Sequence, residues 1–298
     1  MDLSICVITM NRAKQLKEAL ESCLSCKLPY KTEFVIIDNA SSDNTEDVVK
    51  ETLQNSGYSY YYEKMTENLG VGGGRNYAYD RSSGDYVYML DDDAVIDDKN
   101  SDFFNDAISI MRNNSSIVTL TTQIYDTAWK KNRVEISGPE ITDEIYKCQM
   151  FCGGSHFLRK SFFESAPYLP NKYGYEEIPP SLRAMNAGKI NAFASELLVI
   201  HKPMVNKWDW NEEKNLQLLF NGMGYPYAIK KMMYPKIALP ILKLANQRRL
   251  KKHLTGIPNA NIKVKEAADR FCKDYPISEK IKFSTLCRMF CDFKLSVF

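Results

Sequence analysis

Three consecutive aspartates follow a short apolar run in the first third of the chain. Residues 86–90 combine aromatic, β-branched and aliphatic side chains, which is typical of a buried strand, and Asp91, Asp92 and Asp93 come directly after them. Adjacent carboxylates repel one another, and a divalent cation relieves this repulsion while gaining the hard oxygen ligands that it prefers. A solvated acidic turn before the next helix is the alternative. The triplet is therefore a candidate cation site.

Strand patterns alternate with helical patterns in the elements that must position this triplet. The strand-like runs are residues 3–9, 33–37, 58–62 and 86–90. Strands that alternate with helices favour an α/β fold with a parallel sheet and right-handed crossovers. The carboxyl ends of parallel strands share one edge, where open α/β sheets bind ligands. We therefore expect Thr9, Asp38 and the aspartate triplet to line one crevice.

The composition is that of a globular protein with one large domain or two small ones. The chain has 298 residues, of which 44% are hydrophobic and 26% charged, and its net charge of +2 gives no general attraction to nucleic acid. It contains no apolar stretch of about 18 residues, the length that spans a membrane, and its start lacks the layout of a signal peptide. The eight cysteines lie in apolar or helical surroundings, so we expect reduced thiols and a cytoplasmic location.

A glycine-rich stretch, residues 68–76, follows the third strand-like run. A dinucleotide fingerprint would need GxGxxG directly after the first strand, and a P-loop would need a closing Lys-Ser/Thr pair, so we exclude both. One interpretation is a flexible turn whose glycines adopt positive φ. The other is a helix N-terminus at Asn68 and Gly70 that approaches a bulky polar ligand, with Arg75 supplying positive charge toward a phosphate or sugar.

Four blocks in this order and spacing resemble the family 2 glycosyltransferases, which have the GT-A fold. The blocks are residues 5–12, 35–45, 68–76 and 90–93. The resemblance implies a GT-A domain with a Rossmann-like central sheet over residues 1–205. The composition of residues 206–298 indicates a basic, mainly helical extension. It also implies inverting transfer of a sugar from a nucleoside diphosphate donor.

The resemblance assigns the first three blocks to the nucleotide. Thr9, Asn11 and Arg12 would begin the nucleotide pocket, and Asp38 would accept a hydrogen bond from the N3–H of uracil or thymine. The glycine-rich block, with Asn68, Gly70 and Arg75, would complete that pocket.

By the same resemblance, the aspartate triplet is the DxD motif of the family. Asp91 and Asp92 would face the nucleotide, while Asp93, with Asp91, would ligate Mg²⁺ or Mn²⁺ at the diphosphate. His201 ends an apolar run, and in many relatives a histidine here completes the metal shell or contacts the diphosphate. A purely structural histidine is the alternative reading of this residue.

The second half resembles the acceptor side of the family. Residues 148–152 are expected to form a strand that ends in Gly153, Gly154 and Ser155, which resemble the glycine pair near the donor sugar; a simple strand bend is the alternative. Glu176 and Glu177 match a Glu-Asp motif whose aspartate is the general base. Glu177 takes the place of that aspartate, and Glu176 could serve instead. Alternatively, both acids lie at a helix N-terminus and have no catalytic role.

The composition changes beyond residues 208–210. Residues 214–265 contain no Asp or Glu, and their basic residues alternate with apolar ones, which predicts amphipathic helices broken near Pro235 and Pro240. One interpretation is a packed helical cap with a solvated lysine face. The other is docking on an anionic membrane surface, where each basic residue contributes about 1 kcal/mol. The helical tail from Phe271 could pack on the domain, insert at the membrane or form a homodimer contact.

The sequence therefore predicts a metal-dependent inverting glycosyltransferase. Its donor would be a UDP- or dTDP-sugar, and its acceptor a hydroxyl of a glycan or lipid-linked glycan in cell-surface polysaccharide synthesis. The enzyme would be peripheral on the inner face of the plasma membrane. A nucleotide-sugar-binding protein without catalysis and a sugar nucleotidyltransferase are the alternatives.

Overall fold

The computed structural model describes residues 1–203 and 213–298. The chain divides into two compact units, residues 1–204 and 205–298. The domain boundary expected at residue 205 lies outside the described residues, as does the composition change around residues 208–210.

The first unit alternates strands and helices along its first half, as the sequence pattern predicts. Its strands are β1 (Leu3–Thr9), β2 (Thr32–Asp38), β3 (Ser59–Lys64), β4 (Tyr86–Asp91), β5 (Ala94–Ile96), β6 (Ile117–Asp126), β7 (Lys131–Asn132), β8 (Glu140–Thr142), β9 (Ile145–Lys147), β10 (Ser155–Arg159) and β11 (Ile190–His201). Its helices are α1 (Ala13–Ser25), α2 (Thr45–Leu53), α3 (Gly70–Arg81), α4 (Phe103–Asn113) and α5 (Ile178–Asn186).

These strands form one mixed sheet in the order β3-β2-β1-β4-β10-β6-β11-β9-β8. Strands β1 to β4 pair in parallel, which confirms the α/β fold predicted from the alternation of elements. Thr9 is the register partner of Asp38, and Ile8 is the partner of Asp91. The carboxyl ends of β1, β2 and β4 therefore meet at one edge of the sheet.

Strand β4 is buried on both of its faces. Tyr88 and Leu90 pack into the core that β4 shares with α1 and α4, whereas Val87 and Met89 pack into the core that it shares with α3. The Tyr88 ring makes an edge contact with Phe104 at a centroid distance of 5.3 Å. Burying a side chain of this size contributes about 1.5–3 kcal/mol. The packing on both faces fixes the strand that carries Asp91.

The strand expected over residues 148–152 is wrong. This segment is irregular, and the strand begins only after the glycine pair, as β10. β10 runs antiparallel to β4, with Ser155 opposite Leu90, and the carbonyl of Gly154 accepts a hydrogen bond of 3.0 Å from the Asp91 amide. The chain must turn at the glycines to enter this antiparallel pairing, and so the strand follows them.

The second unit is helical, as predicted. Its helices are α6 (Glu213–Met233), α7 (Leu239–His253), α8 (Ala260–Asp274) and α9 (Phe283–Phe293), and two short 3-10 turns cover Lys236–Ala238 and Lys294–Val297. Helix α6 ends just before Pro235, and Pro240 lies in the first turn of α7, where a missing amide proton is tolerated. None of the helices in the described part of the chain is both long and apolar enough to cross a membrane.

The first turn of α3 lies directly against the backbone of the loop that contains residues 169–172. The Val71 and Gly72 amides donate to the carbonyls of Lys172 and Asn171, at 3.0 and 3.2 Å. A Cβ atom on Gly72 would overlap the carbonyl oxygen of Leu169. This close approach explains why a side chain is absent here.

Gly72→Ala should therefore lower the free energy of unfolding by about 1–3 kcal/mol, because one of the two backbones must move. Urea unfolding measures this change. Gly73→Ala in the same helix is the matched control, since its added methyl group would first meet the Leu69 side chain, at 3.1 Å. Equal effects of the two substitutions would contradict this account of the helix start.

Candidate active site

Arg75 lies at the centre of a buried group of carboxylates in the first unit. Helix α3 carries it inward, where only 4% of the residue is exposed. Its Nη2 lies 2.8 Å from both Asp91 Oδ1 and the Gly153 carbonyl oxygen, and its Nη1 donates a short hydrogen bond to Glu176. Glu177 Oε1 lies 3.9 Å from the same Nη1. One guanidinium thus joins the end of β4, the glycine pair and the segment before α5.

The resemblance assigned Arg75 to the nucleotide pocket, where its charge would face a phosphate or sugar. In the structure its charge is opposed by carboxylates of the chain itself. A buried arginine is stable only when it is paired and hydrogen-bonded, and Arg75 meets this requirement through Asp91, Glu176 and the Gly153 carbonyl. Contact between Arg75 and a donor phosphate remains a prediction.

The two adjacent glutamates lie in different environments. The Glu176 side chain is 3% exposed and is held by Arg75, whereas the Glu177 side chain is 14% exposed at the start of α5. Burial, followed by the nearby charge of Glu176, raises the pKa of Glu177 above its ordinary value of 4.5, although Arg75 acts in the opposite direction. Glu177 is therefore the more accessible of the two acids, and its own pKa is raised.

The glycine pair makes room for these side chains, but Ser155 does not share their position. A Cβ atom on Gly153 would overlap the Glu177 carboxylate, and one on Gly154 would lie 3.0 Å from Asp91 Oδ2. Ser155 is fully buried, and its hydroxyl lies 2.7 Å from those of Tyr88 and Thr122. The Ser155 side chain thus points into the core because β10 begins at this residue, and the predicted approach of the backbone at residues 153–155 to a sugar remains a prediction.

The side chains of the aspartate triplet point in two directions. Asp92 and Asp93 are each 6% exposed, and Arg12 Nη1 lies 2.8 Å from a carboxylate oxygen of both. Burial raises the pKa of Asp92 to about 6, although Arg12 opposes the shift. The Asp91 side chain, at 27% exposure, turns instead toward Arg75. The end of β4 is thus held by one arginine on each side.

Asp91, Asp93 and His201 form a group that could hold a metal ion. One ligand atom from each lies within 4.8 Å of the other two. His201 reaches this position because it pairs with Ala94 in the antiparallel ladder of β11 and β5, and its Nε2 lies 3.1 Å from Asp93 Oδ1. Two carboxylates and an imidazole suit a divalent cation such as Mn²⁺.

Sequence reasoning missed the residues that support His201 from behind. Asp126, at 1% exposure, ends β6, and its Oδ2 lies 3.1 Å from His201 Nδ1 and 2.7 Å from Arg133 Nη2. Although burial acts in the opposite direction, hydrogen bonds from the Trp129 amide and Arg133 hold the pKa of Asp126 below its ordinary value. An aspartate after a strand-like run was the available signal, the same signal that identified Asp91.

The residues predicted to bind the nucleotide base lie together at the carboxyl ends of β1 and β2. Thr9 is 2% exposed, and Asp38 is 1% exposed. Asp38 accepts hydrogen bonds from the Ser41 amide at 2.7 Å and from the Tyr62 hydroxyl at 2.8 Å. Each carboxylate oxygen has a further lone pair, so these bonds do not exhaust its accepting capacity.

Asn11 and Asn68 shape the backbone on either side of this pocket. Asn11 has a φ of 55°, and its side-chain oxygen accepts a hydrogen bond of 2.7 Å from the Ser42 amide. Asn68 accepts a hydrogen bond of 2.8 Å from the amide of Gly70, whose φ of 76° favours glycine. The structure thus gives both asparagines a local role in their loops, and their contact with a nucleotide remains a prediction.

Comparison with known proteins extends this picture. The family model for glycosyl transferase family 2 matches residues 4–165, more than half of the 298 residues. Among curated relatives, the poly-beta-1,6-N-acetyl-D-glucosamine synthase of Staphylococcus epidermidis is 32% identical over 96 residues, which cover 32% of this chain and 23% of the synthase.

A second relative is the GalNAc(5)-diNAcBac-PP-undecaprenol beta-1,3-glucosyltransferase of Campylobacter jejuni. It is 32% identical over 91 residues, which cover 30% of this chain and 29% of that enzyme. The match thus spans less than a third of the length of either relative.

Solved structures share the fold. The structure of S. aureus TarS 1–349 in complex with UDP-GlcNAc has a TM-score of 0.65 at 15% identity, covering 93% of this chain and 82% of TarS. The family match favours sugar transfer over nucleotidyl transfer and over binding without catalysis. The chain is a glycosyltransferase with the GT-A fold, and it belongs to glycosyltransferase family 2.

Proposed function

We propose that this glycosyltransferase is metal-dependent and inverting. Its donor is a UDP- or dTDP-sugar, and its acceptor is a hydroxyl of a glycan or lipid-linked glycan. The observation that carries the proposal is the meeting of a metal-ligand group, Asp91, Asp93 and His201, with a partly exposed glutamate, Glu177, through the shared partner Arg75. The UDP-GlcNAc in TarS supports the choice of donor, and the undecaprenol in the name of the Campylobacter relative supports the choice of acceptor.

Asp91, Asp93 and His201 are the proposed ligands of Mg²⁺ or Mn²⁺. Such an ion offsets the negative charge that develops on a departing diphosphate. In the proposed tautomer of His201, Nδ1 carries the proton and donates it to Asp126 Oδ2, which leaves the Nε2 lone pair directed toward the cation. Arg133 Nη2, which lies 3.0 Å from Nδ1, then acts through its ion pair with Asp126. Arg12 holds Asp92 and Asp93 at fixed positions from the other side.

Glu177 is the proposed general base, which accepts the proton of the attacking acceptor hydroxyl. A sugar hydroxyl is a weak nucleophile, and a positioned base typically contributes about 10²–10⁴-fold to the rate. Glu177 suits this role better than Glu176, because Glu176 is more deeply buried and is held in a short ion pair with Arg75. In an inverting reaction the base acts on the face of the sugar opposite the leaving group. Arg75 lies between Asp91 and Glu177, and we propose that it fixes the distance between the metal ligands and the base.

The proposed nucleotide pocket is the edge formed by the ends of β1, β2 and β4 and by the start of α3. Asp38 would receive the N3–H of the base, and Asp91 would face the ribose. The remaining proposed contacts are Thr9, Asn11, Arg12, Asn68, Gly70, Arg75 and Asp92, with Gly153 and Gly154 near the donor sugar.

We also propose that the enzyme is cytoplasmic and works at the inner face of the plasma membrane, in cell-surface polysaccharide synthesis. The acid-free stretch at residues 214–265 and the free cysteines support this location. A homodimer contact through the segment that contains α9 remains a prediction.

Nucleotide binding tests the proposed function. With Mn²⁺ present, UDP or dTDP should stabilise the protein by about 2.7 kcal/mol at 100 times its Kd, and GDP should stabilise it less. Asp93→Asn should remove the Mn²⁺-dependent part of this stabilisation. Asp98→Asn, the same change at an exposed residue, should retain it. Thermal unfolding with each nucleotide measures these effects. A protein that no nucleoside diphosphate stabilises in the presence of Mn²⁺ would refute the proposal.

Asp126→Asn should weaken Mn²⁺ binding by about 10–100-fold, because the imidazole loses the carboxylate that orients it. Calorimetric titration with Mn²⁺ alone measures the Kd. Asp143→Asn, at an exposed residue of the same unit, is the control. If the wild-type protein binds Mn²⁺ and Asp126→Asn binds it equally well, the orienting role is wrong. If the wild-type protein does not bind Mn²⁺, the metal site itself is wrong.

Glu177→Gln should lower kcat by about 10²–10⁴-fold and leave the Kd for UDP unchanged, because the substitution removes the base and not the nucleotide site. Glu177→Asp should retain measurable activity. In the wild-type enzyme, kcat/KM should rise with pH through a midpoint above 4.5, since the base must be ionised and its pKa is raised. Full activity of the glutamine variant, or a midpoint at 4.5, would exclude Glu177 as the base.

A further inference from the structure

A groove with a volume of about 830 Å³ lies among α6, α7 and α8 in the second unit. Four lysines line it, one from α6, two from α7 and one from α8: Lys231, Lys243, Lys251 and Lys265. Asp269, uncharged polar side chains such as Tyr227 and Asn246, and apolar side chains such as Leu250 and Val264 complete its lining. We call this feature the lysine groove.

The positive charge of the lysine groove is only partly neutralised. Asp269 lies 3.8 Å from Lys231 Nζ and 3.2 Å from Lys265 Nζ, so this acid is shared between two lysines. Lys243 and Lys251 have no carboxylate partner within the described parts of the chain, and α7 itself contains no acid. The α7 side of the groove therefore attracts an anion.

A row of exposed aliphatic side chains lies on α7 and on the short turn before it, outside the lining of the lysine groove. Ile237, Ile241 and Leu244, which we call the apolar row, are 70%, 50% and 49% exposed. At about 100° of rotation per helical residue, Leu244 lies about 20° from Lys251 around α7. Exposed aliphatic groups beside lysines are typical of a helix that lies in a membrane interface.

We propose that the lysine groove binds the phosphate of an anionic lipid while the apolar row enters the bilayer surface. This inference rests on the proposed function and names the contact that would hold the enzyme at the membrane of its acceptor. A soluble phosphate compound would use the lysines but leave the apolar row in water. A bilayer satisfies both features, because its phosphates and its acyl chains are presented side by side.

Vesicle flotation of the full chain tests the proposal. Vesicles of phosphatidylcholine with phosphatidylglycerol should bind the protein, and vesicles of phosphatidylcholine alone should bind it much less. Lys243→Gln with Lys251→Gln should lower binding by about 30-fold, or about 5-fold per lysine. The matched control, Lys14→Gln with Lys17→Gln, removes the same charge from exposed residues of α1 in the first unit and should have little effect.

A second double variant, Ile241→Ser with Leu244→Ser, keeps all the lysines and should also lower vesicle binding. Equal binding to neutral and anionic vesicles would overturn the proposal, as would equal losses from the two lysine pairs, which would indicate general electrostatic attraction. Titration with inorganic pyrophosphate covers the remaining source of phosphate. Pyrophosphate binding that depends on Lys243 and Lys251, without any vesicle binding, would replace the lipid with a soluble ligand.

Titration of each variant with UDP and Mn²⁺ separates this proposal from the proposed function. The variants of the lysine groove should bind UDP as the wild-type protein does. Loss of vesicle binding with intact UDP binding supports the lysine groove as the membrane contact. Intact vesicle binding in a wild-type protein that fails to bind UDP would overturn the proposed function and leave the membrane contact standing.

Discussion

The buried ion pairs of Arg75 are the interaction on which the rest of the catalytic unit depends. Its guanidinium contacts Asp91 from β4, Glu176 from the segment before α5 and the carbonyl of Gly153. Removing one partner from such a cluster typically costs about 3–5 kcal/mol, because an uncompensated charge remains inside the protein. The end of β4 and the segment before α5 are therefore fixed relative to each other by charge, in addition to packing. The requirement for a glycine at position 153 follows from the same crowding.

The metal-ligand group depends on strand pairing more than on local sequence. His201 lies far along the chain from Asp93, and the short ladder of β11 with β5 brings the two together. The parallel pairing of β11 with β6 then places Asp126 opposite His201. The two ladders together therefore bring His201, Asp93 and Asp126 into contact. A shift of one residue in either ladder would turn the imidazole to the other face of the sheet.

The sequence predicted the elements whose signals are local, and it could not predict contacts that depend on distant pairing. Strands β1 to β4 were recognisable from apolar runs, and their parallel order placed Thr9, Asp38 and Asp91 at one edge. The strand expected over residues 148–152 was wrong because the start of β10 is set by its antiparallel register with β4, which no local pattern reveals. The partners of Arg75 could not be predicted from the sequence either. An arginine after a glycine-rich helix start can pair with the phosphate of a bound ligand or with buried carboxylates of the chain itself, and the local pattern is the same in both cases.

The two units differ in how their charged residues are distributed, although the net charge of the whole chain is only +2. In the first unit Arg75 and Asp126 are buried, and each is paired with groups of opposite charge. In the second unit a stretch of 52 residues, 214–265, carries lysines and arginines without a single acid. Lys231, Lys263 and Lys265 are paired with Asp269 or Glu266, which follow the stretch, whereas Lys243 and Lys251 have no carboxylate partner among the described residues. A lipid is the proposed occupant of the lysine groove because a bilayer presents anionic phosphates together with an apolar interior, which would meet the lysines and the apolar row respectively.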